Sequence, residues 1–409
     1  MLPVLTESSV HMTLTDEIKA LNDAHVINTY GERTVALSRG EGMLLWDAEG
    51  KEYLDFFAGI AVCNLGHCHP AVTQAICDQA KKLVHVSNLY YIEAQTLLAA
   101  ALCKHSFAEK WFFCNGGAEA NEAAIKLARR YWEKQGTPKP GIVTAQQSFH
   151  GRTIATVTAT GQPKYHDGFQ PLVPGFSYVP YNDLAALEAA ITPDVGAVLL
   201  EPIQGEGGVR VPDEAYWKQV RQLCDDKNVL LILDEVQTGL GRTGPLFAHQ
   251  GYGITPDIMT LAKGLGNGVP IGAMGCTDGV ATGFDVGSHA CTFGGNPLSA
   301  AAAVATLSAL TAPGFLEAAQ ERSTYLFAKL AEVAASCDAV VEVRGKGLMV
   351  GIEFDQPVAP LVTTLIDSGV ICGPAGPNVL RFLPPLIVEE SHIDRVISLL
   401  KASLGALKW

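Results

Sequence analysis

Basic residues are scarce in this chain. Lys and Arg total 29 against 42 Asp and Glu, a formal net charge of −13. A nucleic-acid partner wants a basic face, so that class is excluded, and any anionic substrate must be held by a few local arginines. Long apolar runs are missing too. None reaches the roughly 18 residues a bilayer-spanning helix needs, so no membrane partner is expected. The start, MLPVLTESSVHMTLTDEIK, holds no Lys or Arg before Lys19. That argues against a secretory leader and an Arg-rich transit peptide, and the expected location is cytoplasmic. The ten cysteines include no C-x-x-C pair and read as reduced cytosolic thiols. Cys63, His67, Cys68 and His69 crowd together, but ligands at adjacent positions do not match zinc spacing. They read as a turn before Pro70, with no metal. Repeats and low-complexity tracts are also absent.

What is present is enough for a large core. Of 409 residues, 48 % are hydrophobic and 17 % charged, which excludes disorder and gives two domains as the prior. Gly is high at 41, a sign of tight turns and close backbone approaches. Helices are predicted over 16–27, 70–87 and 93–105, and a hairpin around the turn Asp47–Gly50. WFFCNGGAEANEAAIKLARRYWEKQG reads as strand, Gly-Gly turn and helix, the helix from about Ala118 to Glu133. GIVTA, Val195–Leu200, Val229–Leu233 and Ile258–Ala262 read as short buried strands, with a helix over Tyr216–Asp226 between two of them. Strands alternating with helices predict an α/β fold with a parallel, doubly wound sheet whose following loops gather at one edge. After GGNPLSAAAAVATLSAL the pattern changes to a helix over 315–335, a hairpin-like pair in VVEVRGKGLMVGIEF, a helix over Leu361–Asp367 and the strand VLRFLPPL. The expected division is an N-terminal segment over 1–65 that joins a small α+β domain over 309–409, with a large domain over 66–308.

The stretch Val229–Gly264 stands out. One buried strand ends in Asp234 and Glu235, the next in Lys263, so opposite charges share one rim. A lysine in a dry pocket has a depressed pKa and is a nucleophilic amine, suited to a Schiff base with an aldehyde cofactor. Pyridoxal phosphate also needs an acid against its ring nitrogen, a role open to Asp234. The plain alternative is a buried Asp–Lys pair. Gly116, Gly117 and Ala118, between a strand and a helix, form a candidate phosphate cradle or an ordinary turn. Gly239–Gly244 matches G-x-G-x-x-G but stands five residues from its strand with no proper helix behind it, so it is not a dinucleotide site. Phe149 is placed to stack on a ring or to fill core, and Arg152 to fork a carboxylate or to make a surface salt bridge. Gln204, Glu206 and Arg381 are individually weak signals.

Together these motifs form one pattern. FHGRT, EPIQGEGG, LILDEVQTGLGRTG, TLAKGLGNGVPIGA and TFGGNP, with INTYGERTVAL and NGGAEANEAAIKLAR earlier, resemble the class III aminotransferases of PLP fold type I over nearly the whole chain. The resemblance implies a seven-stranded, mostly parallel sheet and an ω-aminotransferase that passes a terminal amino group to 2-oxoglutarate with ping-pong kinetics. It implies pyridoxal 5′-phosphate on Lys263, with Asp234 at the ring nitrogen. Val236 and Phe149 then lie on the ring faces, Gln237 near the ring hydroxyl, and Gly116, Gly117 and Ala118 at the phosphate. Thr292 corresponds to a phosphate ligand lent by a second subunit, which implies a homodimer with shared sites. Arg152 matches the arginine for a distal carboxylate, Arg381 the one for the α-carboxylate of glutamate, and Glu206 its switch partner; Tyr30 is a substrate contact. One departure is Gly116, where the family usually has Ser, so a hydroxyl donor to the phosphate is lost. The amine donor stays open among acetylated, succinylated or free ornithine, succinyldiaminopimelate and 4-aminobutyrate. An aminomutase or a non-catalytic homologue are the remaining alternatives.

Overall fold

Every residue of the strand Leu230–Asp234 is buried. A computed structural model of the chain, which describes residues 12–409, shows what covers its two faces. Residues 1–11, which hold the start of the segment expected over 1–65 and most of the stretch before Lys19, lie outside the described residues. In chain order the strands are β1 (Leu37–Glu41), β2 (Leu44–Asp47), β3 (Glu52–Asp55), β4 (Lys110–Cys114), β5 (Gly141–Ala145), β6 (Phe176–Val179), β7 (Val195–Leu200), β8 (Leu230–Asp234), β9 (Ile258–Leu261) and β10 (Gly272–Cys276). They continue with β11 (Val340–Lys346), β12 (Met349–Phe354), β13 (Val370–Ile371), β14 (Gly373–Pro374) and β15 (Val379–Phe382).

The central sheet has seven strands in the order β4-β10-β9-β8-β7-β5-β6. Only β10 is reversed, antiparallel to both β9 and β4. Successive residues of a strand face opposite sides, so a strand covered on both sides is apolar throughout. Leu230 and Ile232 accordingly pack with Ala123, Ala124 and Leu127 of the helix Gly117–Lys134. Leu231 and Leu233 pack on the other side with Trp217, Val220 and Cys224 of the helix Tyr216–Lys227. This is the doubly wound arrangement the alternation predicts.

β10 was not expected. Its sequence GAMGC has no β-branched or aromatic residue to mark a strand. The composition answers a local need, because a Cβ on Gly272 would lie 2.5 Å from the carbonyl oxygen of Gly116. The strand must be bare there for the Gly116–Ala118 turn to pass.

Two smaller sheets flank this unit. The expected hairpin forms β2 and β3, extended by β1 on one side and by β13 on the other. β13 pairs in parallel with β3, Val370 opposite Leu54, so residues from the two ends of the chain share one sheet. The other small sheet runs β11-β12-β15-β14 and is antiparallel. The helix expected over 70–87 stops at Lys82. The helix Pro297–Leu310 is apolar nearly all round and is buried on several faces, so it carries no clean period. The terminal helix Glu390–Leu407 was also missed; it packs against the small unit through Ile393, Val396 and Leu400. Among the described residues no single helix is long and apolar enough to cross a membrane.

The strand order decides where the site is. β5, β7, β8 and β9 are parallel, so the loops after them open on one edge, the usual ligand-binding edge of such sheets.

Candidate active site

That edge holds a cavity of about 440 Å³. Its wall is built mainly from the ends of the strands and the segments after them: Asn115–Ala118 after β4, Phe149–Arg152 after β5, Glu201 and Glu206 after β7, Asp234, Val236 and Gln237 at and after the end of β8, and Lys263 after β9. Five chain segments, far apart in sequence, therefore bring complementary chemistry to one edge.

Asp234 is 4 % exposed and is surrounded by donors. Its Oδ2 accepts from Nδ2 of Asn121 at 2.7 Å and lies 2.8 Å from Nδ1 of His150, while Oδ1 accepts from the Val236 amide at 3.0 Å. Asn121 is itself fixed, accepting from Thr260 Oγ1 at 2.7 Å and donating to the His150 carbonyl. Three fixed donors leave the carboxylate little rotational freedom. Sequence reasoning passed over Asn121 and His150. His150 stood inside the FHGRT motif, and a histidine beside a strand-end acid was the available signal.

Lys263 sits in the left-handed region at φ +44°, a conformation that costs an L-residue about 1–3 kcal/mol and is tolerated where the surroundings enforce it. Burial pushes its amine below the ordinary lysine range, and the Arg381 guanidinium adds to this. Glu206 and Asp234 pull the other way without cancelling it. A depressed amine is neutral more of the time, hence a better nucleophile and base.

The Gly116–Ala118 turn leads into the helix Gly117–Lys134, whose first intrahelical bond runs from the Ala120 amide to the Gly116 carbonyl. The preceding amides have no acceptor within the helix and can face an anion. A Cβ on Gly117 would lie 2.8 Å from Cγ1 of Val236, so glycine keeps that wall clear. A Cβ on Gly116 would meet nothing within 4 Å.

Arg152 is exposed on the cavity mouth. Its guanidinium lies 4.1 Å from the Tyr165 ring centroid and 5.5 Å from that of Phe149, and no salt bridge to it is formed among the described residues. Aromatic faces hold the fork while leaving its N–H groups available. Arg381 is the opposite case. It is 1 % exposed and donates from Nη1 to Glu206 Oε1 at 2.6 Å and to Gln237 Oε1 at 3.2 Å. Burial raises the Glu206 carboxyl, but the Arg381 charge and hydrogen bond outweigh it and hold it below its usual range.

Glu201 was not singled out from sequence. It is 6 % exposed, and its oxygens accept from the amides of Phe149 at 2.8 Å and Gly205 at 3.1 Å. It thus ties the Phe149–Arg152 loop to the Glu206 loop. Burial pushes its carboxyl up to about 7, with His150 opposing and Asp234 reinforcing the rise.

Two expected residues do not join the cavity wall. Tyr30 is 83 % exposed beside Arg33, and Thr292 is exposed on the segment after Cys291. Neither lines the cavity of its own chain.

The residues fit pyridoxal phosphate as a group. A fixed acid, a depressed amine and a clear glycine cradle at the head of a helix occupy separate parts of one cavity, the donor set this cofactor requires.

A family model described as aminotransferase class-III matches residues 27–404. An acetylornithine aminotransferase of Thermosynechococcus vestitus is 52 % identical over 94 % of this chain and 96 % of that protein. One of Methanocaldococcus jannaschii is 48 % identical over 95 % and 98 %. Among solved structures, the ornithine aminotransferase of Toxoplasma gondii superposes with a TM-score of 0.93 at 33 % identity, covering 97 % of this chain and 96 % of that one. The N-acetylornithine aminotransferase of Stenotrophomonas maltophilia gives 0.82 at 39 % identity, covering 95 % and 98 %.

Proposed function

The chain belongs to the class-III aminotransferases, and we propose that it moves the terminal amino group of N2-acetyl-L-ornithine to 2-oxoglutarate, yielding N-acetylglutamate 5-semialdehyde and glutamate. The observation that carries this reading is the pairing of one open arginine with one gated arginine in a single cavity that also holds Lys263. Arg152 is free to take a carboxylate, whereas Arg381 is closed by Glu206. A donor with a carboxylate only at its far end matches the closed state. A dicarboxylate acceptor matches the open one. The names of the relatives supply the acetylated donor.

Pyridoxal phosphate, when bound, supplies an aldehyde that bonds amines and a ring that withdraws electrons from the bonded carbon. Lys263 would hold the aldehyde and Asp234 the ring nitrogen. The amides at Gly116–Ala118 would hold the phosphate, Phe149 and Val236 the ring faces, and Gln237 the ring hydroxyl. Lys263 Nζ, its pKa lowered by burial, would take the proton from the donor's terminal carbon and deliver it two bonds away, across the intervening nitrogen. Asp234, locked by Asn121, His150 and the Val236 amide, keeps the opposing charge in place throughout. Glu206 withdraws from Arg381 to admit 2-oxoglutarate and closes again for the amine donor.

Three further elements belong to the same proposal. A homodimer is supported by an exposed apolar patch formed by Leu89, Tyr90, Tyr91 and Phe293. Asn88 donates to the carbonyls of Cys291 and Gly294, tying the segment that carries Thr292 to the one that carries Leu89, Tyr90 and Tyr91. Burying the patch against a second copy would bring Thr292 to the phosphate of the neighbouring site, with Tyr30 reaching substrate. The division into a large unit over 66–308 and a small one from 1–65 and 309–409 is supported by the β3–β13 pairing. A cytoplasmic place in arginine biosynthesis follows from the proposed substrate.

The test is donor profiling of the purified enzyme with 2-oxoglutarate. Acetylornithine should exceed ornithine, succinylornithine and 4-aminobutyrate in kcat/KM. Preference for 4-aminobutyrate, or turnover without the keto acid, would overturn the assignment.

A further inference from the structure

The glycine-rich loop after β8, GLGRTG, encloses one of the most deeply buried cations among the described residues. Arg242 is 0 % exposed. Its three acceptors are all neutral oxygens: Leu348 O at 3.0 Å and Pro384 O at 2.5 Å from Nη1, and Asn64 Oδ1 at 2.5 Å from Nη2. A fully buried charge with no carboxylate hydrogen-bonded to it, Asp55 acting only at a distance, is costly, so its persistence points to a geometric task.

The acceptors identify that task. Leu348 immediately precedes β12, and Pro384 follows β15 by two residues. Those strands are paired with Gly351 opposite Arg381. Because the strands are antiparallel, Leu348 and Pro384 stand at the same end of the pair, and a single guanidinium nitrogen grips both strands there, next to Arg381. The Arg242 carbonyl also accepts from the Leu348 amide at 3.0 Å, and a Cβ on Gly347 would come within 2.6 Å of that carbonyl oxygen. On the other side stands Asn64, 1 % exposed, its side chain donating to Leu240 O at 2.9 Å and its backbone carbonyl accepting from the Leu386 amide. A Cβ on Gly264 would fall 2.5 Å from Asn64 Nδ2, so Asn64 presses directly on the turn that carries Lys263. The glycines of the loop allow this closeness: a Cβ on Gly241 would overlap Leu316 and Leu386.

We infer that Arg242 and Asn64 form a positioning pair that fixes how far the Arg381 strand stands from the Lys263 turn. The pair thereby sets the reach between the amine and the carboxylate of a dicarboxylate acceptor. The inference rests on the proposed role of Arg381 as the guanidinium for that carboxylate. Lys at position 242 would keep the charge but lose the planar fork that spans two chain segments. The amine-donor half-reaction, run with Arg381 closed on Glu206, depends on this distance much less.

The experiment uses the holoenzyme. Glutarate, a dicarboxylate that cannot react, is titrated by calorimetry into wild type, Arg242→Lys, Asn64→Ala and Arg381→Gln. Single-turnover rates are then measured for each half-reaction. Loss of one hydrogen bond to a charged group should weaken glutarate by about tenfold or more in Arg242→Lys, and by a smaller factor in Asn64→Ala. The 2-oxoglutarate half-reaction should fall in parallel through KM, and the donor half-reaction by less than about threefold. Should Arg242→Lys fail to fold, Asn64→Ala decides by the same readings. Unchanged glutarate binding in a folded variant, or equal losses in both half-reactions, would overturn the positioning role. If Arg381→Gln abolishes glutarate binding while the other variants do not weaken it, this inference alone falls. If Arg381→Gln binds glutarate normally, the reading of Arg381 falls, and this inference with it.

Discussion

Glu206 Oε1 lies 2.6 Å from Nη1 of Arg381, and Gln237 touches both partners, 3.4 Å from the first and 3.2 Å from the second. The guanidinium is buried while the carboxylate is about one quarter exposed. The movable member is therefore the acid. Glu206→Gln should weaken closure, so that KM for 2-oxoglutarate falls while kcat/KM for the amine donor drops by about tenfold, the effect of losing one charged hydrogen bond. Steady-state kinetics with each substrate varied will read this. A rise in both KM values would count against the gate.

The same pair has a pH signature. Its carboxyl is held below the ordinary range by Arg381 in spite of burial. A depressed acid stabilises the fold fully above its unfolded pKa, and that stability is lost as pH falls through the folded value. Thermal unfolding of wild type and Glu206→Gln should therefore differ by a constant amount at neutral pH and converge on acidification below the usual carboxylate range. A gap that widens on acidification would contradict the pairing.

Much of this was legible in the sequence, for identifiable reasons. Strands buried on both faces are unbroken apolar runs, so β7, β8 and β9 could be read directly, and each ends at or one residue before a residue of the cavity wall. β10 could not be read, because its glycines serve the Gly116 turn rather than a strand propensity. The helix Pro297–Leu310 was hidden by being buried on several faces, which erases its period. Lys263 and Asp234 were visible as charges at strand ends. Asn121, His150 and Glu201 were not, since each acts through contacts of 29 to 113 positions' separation or with backbone amides that no local pattern encodes. Arg242 was seen only as part of a nucleotide-binding look-alike. Its real partners lie more than a hundred positions away on either side.

Gly116 marks a place where this chain can be improved. Its φ of −171° is extended backbone open to any residue, and the space where a Cβ would stand is empty. Gly116→Ser should fold normally and add a hydroxyl donor toward the phosphate. A neutral hydrogen bond contributes about 0.5–1.5 kcal/mol, so the cofactor dissociation constant should fall by roughly two- to tenfold. Gly117→Ala should do the opposite, because its methyl would drive into Val236. Equilibrium dialysis against pyridoxal phosphate distinguishes the two. Equal affinities in all three proteins would show that the phosphate does not sit at this turn.

Lys263→Ala should abolish turnover, with kcat reduced by at least about 10²–10⁴-fold, the scale of a lost general base. The variant should still bind cofactor through the cradle and Asp234, but without the visible absorbance of a bonded amine. In the apo wild type, the rate of cofactor attachment should rise with pH and level off at a value below 10.5, because burial depresses the Lys263 amine. Stopped-flow absorbance across pH would read that midpoint. A midpoint at or above the ordinary lysine value would mean that the pocket does not activate this amine.

Glu201 provides the clearest stability test. Burial raises its carboxyl from 4.5 to about 7, even though two backbone amides donate to it. A raised acid binds more protons folded than unfolded, so stability is lost as pH climbs from the unfolded value to the folded one. Below about pH 4.5 both states are protonated and Glu201 contributes nothing to the pH dependence. Above about 7 both are ionised and the penalty has reached its limit, about 3 kcal/mol for a shift of this size. Glu201→Gln cannot ionise and escapes that penalty. The substitution has a fixed cost, because its amide group can accept from only one of the Phe149 and Gly205 amides. The variant should therefore be less stable than wild type near pH 5, and the deficit should shrink or reverse by pH 8. Chemical denaturation at the two pH values measures the difference directly. A deficit that stays constant across this range would show that Glu201 is already ionised in the folded protein at pH 5, held so by its two amide donors and His150.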